Sequence, residues 1–349
     1  MDSRTRVRDT IQYHTPDRVP VSFNATDETI DRLKKRLSLD SEEALLKALE
    51  IDVAYIAPDY IGPEMKSWKD ASGNRVEEHI FGWHSTYHWS GGDYTPIVSY
   101  YPLDEAKTIA DIEAHDWPDP DWFDYEGLKD KISRYPDLAL MVGNIGNYQV
   151  GTKIRNAQKL YMDMALEPEF AKALFKRFHD FEMQHYERIL QAGKGRIDIL
   201  RVYDDYGTQG SMLFSLDMWR EFFKESTRAL ADLAHSYGAY YMQHSCGAVG
   251  PIIEELISCG VDILDPLQKV AGLEPETLRE AHGNRIAYHG GIDTQHLLPS
   301  GSPEEVSAEV DHYVEILGRS GGYILSPSQA FQGDIPLENI LEMYRLAHR

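Results

Sequence analysis

His244 and Cys246 sit at the end of a short apolar run and carry the sharpest chemical signal in the chain. Side chains alternate along a strand, so a spacing of two at a strand end aims both at one point. An imidazole and a thiolate so placed are ligands for Zn²⁺. They also serve as a base and a nucleophile, or stand as a packed histidine beside an inert cysteine. The other cysteine, Cys259, lies in a helical run and reads as a small core residue.

The elements that must position this pair are short β-branched runs separated by stretches of helical period. The predicted strands are Val19–Phe23, Asp52–Ala57, Leu138–Ile145, Ile197–Asp204, Ala239–His244, Val261–Asp265, Ile286–His289 and Gly322–Ser326. Helices are expected over Pro168–Leu190, Leu216–Ser236, Pro251–Ser258, Glu274–His282 and Pro303–Leu317. The last has Ser302 as cap, Pro303 at the first position, Glu305 to complete a capping box and Gly318 to end it. Strands alternating with helices through one chain point to an α/β fold, a (β/α)₈ TIM barrel, in preference to an open doubly wound sheet. The 349 residues are read as one domain. A long insertion, 58–137, separates the second and third strands, and within it Val76–Trp89 reads as a β-hairpin with mixed polar and aromatic faces. Such an insertion is a lid over the mouth, or an interface that would make the protein a homodimer.

In such a barrel the chemistry gathers at the carboxyl ends of the strands. There stand Asn24, Asn144, Tyr203-Asp204-Asp205-Tyr206, His244-Ser245-Cys246-Gly247, Asp265, His289-Gly290-Gly291-Ile292-Asp293 and Ser326-Pro327-Ser328-Gln329. That placement favours a metal on His244 and Cys246. Asp205, His289 and Asp293 are the candidates for catalysis: Asp205 to move a proton or orient a histidine, His289 to ligate metal or bond substrate. Asn24, Asn144, Tyr206 and Ser328 are candidates for binding substrate. Gly290-Gly291 reads as a turn more readily than as a phosphate cradle, and no nucleotide-binding motif stands in strand–turn–helix context.

Composition bounds the partners. A net charge of -22 disfavours nucleic acid and anionic lipid, and leaves a small molecule as the expected ligand. Two cysteines exclude a disulfide framework. No apolar leader follows Met1 and no run reaches the length of a membrane span, so a cytoplasmic protein is expected.

Five ordered blocks, Asp204–Gly207, Ser215–Arg220, His244–Val249, His289–Asp293 and Asp334–Ile340, make the chain resemble the uroporphyrinogen decarboxylase superfamily. The resemblance implies a (β/α)₈ barrel. One branch of that superfamily decarboxylates an octacarboxylate tetrapyrrole without metal, using arginines after the first strand. Here that stretch is Asn24-Ala25-Thr26-Asp27-Glu28-Thr29, with no arginine pair. The other branch comprises zinc methyltransferases that exchange a methyl group with a corrinoid (cobalamin) carried by a partner protein, their acceptor being a thiol or a folate. The His-x-Cys pair matches this branch. The resemblance therefore implies Zn²⁺ on His244 and Cys246, and a third ligand just after the last strand, where the methyltransferases have cysteine and this chain has Gln329. A neutral amide is a poor zinc ligand beside thiolate and imidazole. Either the site is weaker, or His289, Asp293 or a substrate group completes it, or metal has been lost. Methyl transfer is the leading expectation, a carboxy-lyase with Asp205 or His289 handling protons the alternative, and a non-catalytic corrinoid- or ligand-binding barrel the third.

Overall fold

A computed structural model describes residues 1–90 and 93–347. Its centre is a curled, seven-stranded parallel sheet in sequential order. The strands are β1 (Val53–Tyr55), β2 (Ala139–Ile145), β3 (Ile199–Tyr203), β4 (Tyr240–His244), β5 (Ile263–Leu267), β6 (Ala287–Ile292) and β7 (Tyr323–Pro327). The run expected to be the first strand lies between the two edges. Ser22 N donates to Leu325 O, Leu325 N to Pro20 O, and Asp52 N to Val21 O, each at 2.9 Å. Pro20 has no N–H to give, which keeps this segment to isolated bridges at Val21 and Ser22.

Period-two alternation divides each strand between two cores. Leu200, Val202, Leu264, Tyr288 and Leu325 pack outward beneath the helices. Val53, Met141, Ile199, Met242, Ile263, Ala287 and Ile324 form a separate cluster on the concave face, sealed by Val7 and Ile11 of the helix Ser3–Ile11. Two residues further along the same inward rows come Tyr55, Gly143, Arg201, His244, Asp265, His289 and Ser326. The concave face is thus apolar at one end and polar at the other. Register aligns that polar end, pairing His244 with both Tyr203 and Asp265.

The helices hold the sheet from outside. The longest, Pro168–Gly193, buries an aromatic stripe that includes Phe175, Phe178 and Phe181. The run expected as one helix from Leu216 to Ser236 is two, Leu216–Phe222 and Lys224–Ser236, broken at Phe223, whose φ of -125° lets its ring enter the core. The helix after β6 ends in a π-turn over Val314–Gly318, and its capping box of Ser302 and Glu305 is formed.

Between β1 and β2 the insertion builds its own sheet, with antiparallel strands Ser67–Lys69, Arg75–Glu78, His84–Ser90 and Asp93–Tyr100. The expected hairpin is its central pair. The buried Asp93 carboxylate ties this sheet to the loops before and after the parallel sheet, accepting from Thr26 Oγ1 at 2.7 Å and from Gly333 N at 2.5 Å. Among the described residues no helix is long and apolar enough to cross a membrane.

Candidate active site

Asp265 is the junction of the polar end. Its side chain is 1% exposed and spans three partners. Arg201 donates from Nε at 2.8 Å and again from Nη2, the His244 Nδ1 lies at 2.6 Å, and His289 Nδ1 at 2.5 Å. Burial alone would protonate this carboxyl, but the Arg201 guanidinium and the two imidazoles outweigh it and hold it well below the carboxylate range. Tyr203 supports Arg201 twice, through its hydroxyl and through its ring, 4.1 Å from the guanidinium.

With Nδ1 of His244 held by Asp265, Nε2 is the nitrogen turned to the strand end. It stands 3.2 Å from Cys246 Sγ and 3.4 Å from Asp205 Oδ1. Burial opposes a charge on His244, yet Asp265 and Asp205 raise its pKa well above the usual imidazole value. Asp205 moves the other way, to about 2, because the bonds from His244 and the Cys246 N–H outweigh its burial. Burial pushes the Cys246 thiol up, with His244 countering in part. The donor atoms of Asp205, His244 and Cys246 lie within 4.8 Å of one another. This is a nitrogen, sulfur and carboxylate set of the kind a divalent metal takes.

The turn that carries Cys246 depends on glycine. Gly247 has φ +91°, and a Cβ there would stand 2.4 Å from the Gly207 carbonyl carbon, backbone that cannot swing aside. Gly247 N also donates to the buried Gln268 side chain at 2.6 Å.

The other expected residues divide. Gln329 reaches the cluster, its Nε2 placed 2.6 Å from Cys246 Sγ. Asp293 does not join: its carboxylate accepts from the N–H groups of Gln295, His296 and Leu297, closing the turn that leads into the short helix Leu297–Ser300. Tyr206 is 1% exposed, packed among Tyr148, Phe214 and Phe223 with its hydroxyl on Asp204. It is core, because the chain turns inward after β3 and the aromatic cluster outbids the mouth. Ser328 is also buried, bonded to Thr294. Neighbouring Asp204 is buried and its pKa raised well above the carboxylate range by that burial.

All five blocks that carry the resemblance fall within residues 129–349, which match the family model described as uroporphyrinogen decarboxylase (URO-D). The chain belongs to the uroporphyrinogen decarboxylase family. Among solved structures, a methyltransferase from Methanosarcina mazei is similar over 99% of this chain and 98% of its own, with a TM-score of 0.67 and 17% identity, a likeness of fold. An endoxylanase retrieved from a sugarcane soil metagenome reaches a TM-score of only 0.38, at 10% identity over 64% of this chain and 83% of its own. No curated protein matches the sequence.

In this family member two of the groups bonded to Asp265, Arg201 and His289, line a cavity of about 390 Å³ together with Tyr55 and Tyr203. Asn24 and Asn144 line the same cavity. His289 is 3% exposed, and its Nε2 finds no hydrogen-bond partner among the described residues. Asp265 holds that ring through its Nδ1. Arg201 escaped the sequence reading because it interrupts an apolar strand, Ile199-Leu200-Arg201-Val202-Tyr203. Its inward phase with Ile199 and Tyr203 was the available signal. A larger cavity, about 620 Å³, opens at the other end of the sheet against Arg6, Arg18 and Leu138, away from these groups.

Proposed function

We propose that the chain is a corrinoid-linked methyltransferase on a (β/α)₈ barrel, with Zn²⁺ held by His244, Cys246 and Asp205. The observation that carries this reading is the gathering of those three donors at the strand end, with the second nitrogen of His244 already committed to a buried carboxylate. Asp205 supplies the third donor for which Gln329 is chemically unsuited, while Gln329 is left to donate to the Cys246 sulfur. Bound there, the ion's contribution is to lower the pKa of a small thiol acceptor so that it attacks a corrinoid-borne methyl group at neutral pH. Asp265 and Arg201 orient His244, and Asp265 presents His289 Nε2 to the acceptor's polar end. Asn24 and Asn144 contribute amides to the same cavity, and a folate is the other acceptor class. The insertion 58–137, tied to Thr26 and Gly333 through Asp93, serves as one wall of the mouth. A half-exposed free thiol suits a reducing compartment, so we place the protein in the cytoplasm.

The carboxy-lyase alternative lacks cations. Among the described residues Arg201 is the only lysine or arginine lining the cavity, and it is committed to Asp265. An octacarboxylate needs several. The test is to incubate zinc-loaded protein with methylcobalamin and a panel of small thiols, following loss of the methylcobalamin spectrum. Demethylation that needs both thiol and zinc, and fails in Cys246→Ala, is expected. Decarboxylation of uroporphyrinogen, with no demethylation, would overturn the reading.

A further inference from the structure

A third cavity, about 180 Å³, lies between the insertion and the long helix Pro168–Gly193. Its volume is below the range of drug-sized pockets, so its ligand is small. The rings of Tyr60, Phe81, Phe123, Phe178 and Phe181 line it. Phe81 stands 5.3 Å from both Phe178 and Phe181, the first tilted and the second edge-on, so these rings meet at angles and do not stack into one another. In the same lining is Glu182, 2% exposed. One carboxyl oxygen faces His179 Nδ1 at 3.4 Å, and the other, Oε1, has no partner among the described residues. A buried acid with an empty oxygen is costly to keep unless something meets it.

Among the described residues no lysine or arginine lines this cavity. Lys153, outside the lining, has its Nζ 5.9 Å from the Trp83 ring. Two histidines do line it, His79 and His185. Burial, aided by Lys153 for His79 and Arg188 for His185, depresses them to about 3 and about 4, so both stay neutral at pH 7. His79 is stacked on Trp83 at 3.7 Å, and His185 Nδ1 is held by the Tyr125 hydroxyl at 2.8 Å. The lining is therefore a set of aromatic rings around one acid, with no lysine or arginine among the described residues.

We propose that this cavity binds a small organic cation, a quaternary or tertiary ammonium compound. Ring faces attract such a cation through their quadrupoles, and desolvation strengthens the attraction. Glu182 supplies the counter-charge that an uncharged aromatic ligand would not use. Burial pushes the Glu182 carboxyl up while the cavity lacks a cation, and an ammonium group would draw it back to carboxylate. Asn144 lines both this cavity and the 390 Å³ one, so the cation would sit next to the reaction cavity. The inference does not rest on zinc or on methyl transfer.

The test uses the full chain, with and without added zinc, and titrates choline against its uncharged isostere 3,3-dimethylbutan-1-ol by calorimetry. Choline is expected to bind on the order of tenfold or more tightly than the isostere, with that advantage lost in Glu182→Gln. The wild-type comparison needs no variant, so it stands even if Glu182→Gln fails to fold. Equal binding of the two compounds, or no choline binding at millimolar concentration, overturns the proposal. A choline advantage that survives in folded Glu182→Gln overturns the role given to that carboxylate.

Discussion

Replacing Asp265 with alanine removes the one carboxylate that meets Arg201, His244 and His289 together. Arg201 is 5% exposed and would keep the Tyr203 hydroxyl and ring and the His244 Nδ1, none of them an anion. Breaking a buried ion pair from one side typically costs about 3–5 kcal/mol. Unfolding entropy near ~2.1 cal/mol/K per residue gives about 0.7 kcal/mol/K for 349 residues, so Tm should fall by about 4–7 °C. Zinc affinity should fall by about 10–100-fold, because His244 loses the partner that orients it. The double variant Arg201→Met, Asp265→Leu should cost less than the two single changes summed, since it removes both charges at once. In wild type, the Asp265 carboxyl is held below its ordinary value of 3.8, so its contribution is intact above that pH and is lost as pH falls through the lower folded value. Calorimetric scans and zinc titration against a chromophoric chelator read both effects. A Tm change under about 1 °C with unaltered zinc affinity would refute the reasoning, because a junction of this burial cannot be removed so cheaply.

Three further outcomes follow from particular residues. His185 titrates at about 4 in the fold against an ordinary 6.5, so the unfolded chain binds the extra proton between those values. Stability should therefore rise with pH across that window by about 1.4 kcal/mol per unit for this group. The slope should flatten in His185→Gln, and taking the difference between the two proteins removes the opposite contribution of Glu182. Gly247→Ala should cost at least about 1–3 kcal/mol from its left-handed backbone, and because its Cβ would strike the Gly207 backbone, zinc should be lost with it. Asp293→Ala should cost about 1 kcal/mol in lost hydrogen bonds to the turn before Leu297 while zinc content stays unchanged. A lost ion there would return Asp293 to the site.

Much of the frame was legible because alternation and helical period are local signals. All eight predicted strand runs meet strand pairing or a bridge in the structure, and the capping box at Ser302 is formed. What periodicity could not show is where a side chain goes once a strand ends. Asp204 and Asp205 are adjacent carboxylates with opposite fates, one buried under Tyr206 and the other turned to His244. Their difference comes from the turn after β3, which no spacing rule describes. The break at Phe223 was hidden for a related reason, since the apolar pattern runs on while the backbone yields to a buried aromatic cluster. Asp265 was visible as a strand end, but its role as a junction needed the register that sets it beside His244. Arg201 was concealed by its apolar neighbours.

The central claim is that Asp205, His244 and Cys246 hold one metal ion and that Gln329 does not. Zinc per chain, measured by elemental analysis on protein purified in zinc-replete buffer, tests it directly across wild type, Asp205→Ala, His244→Ala and Gln329→Ala. We expect about one zinc in wild type and in Gln329→Ala, and its loss or marked weakening in the other two, each confirmed folded by its thermal transition. Wild-type protein without zinc, or zinc that survives Asp205→Ala and disappears with Gln329→Ala, would contradict the account.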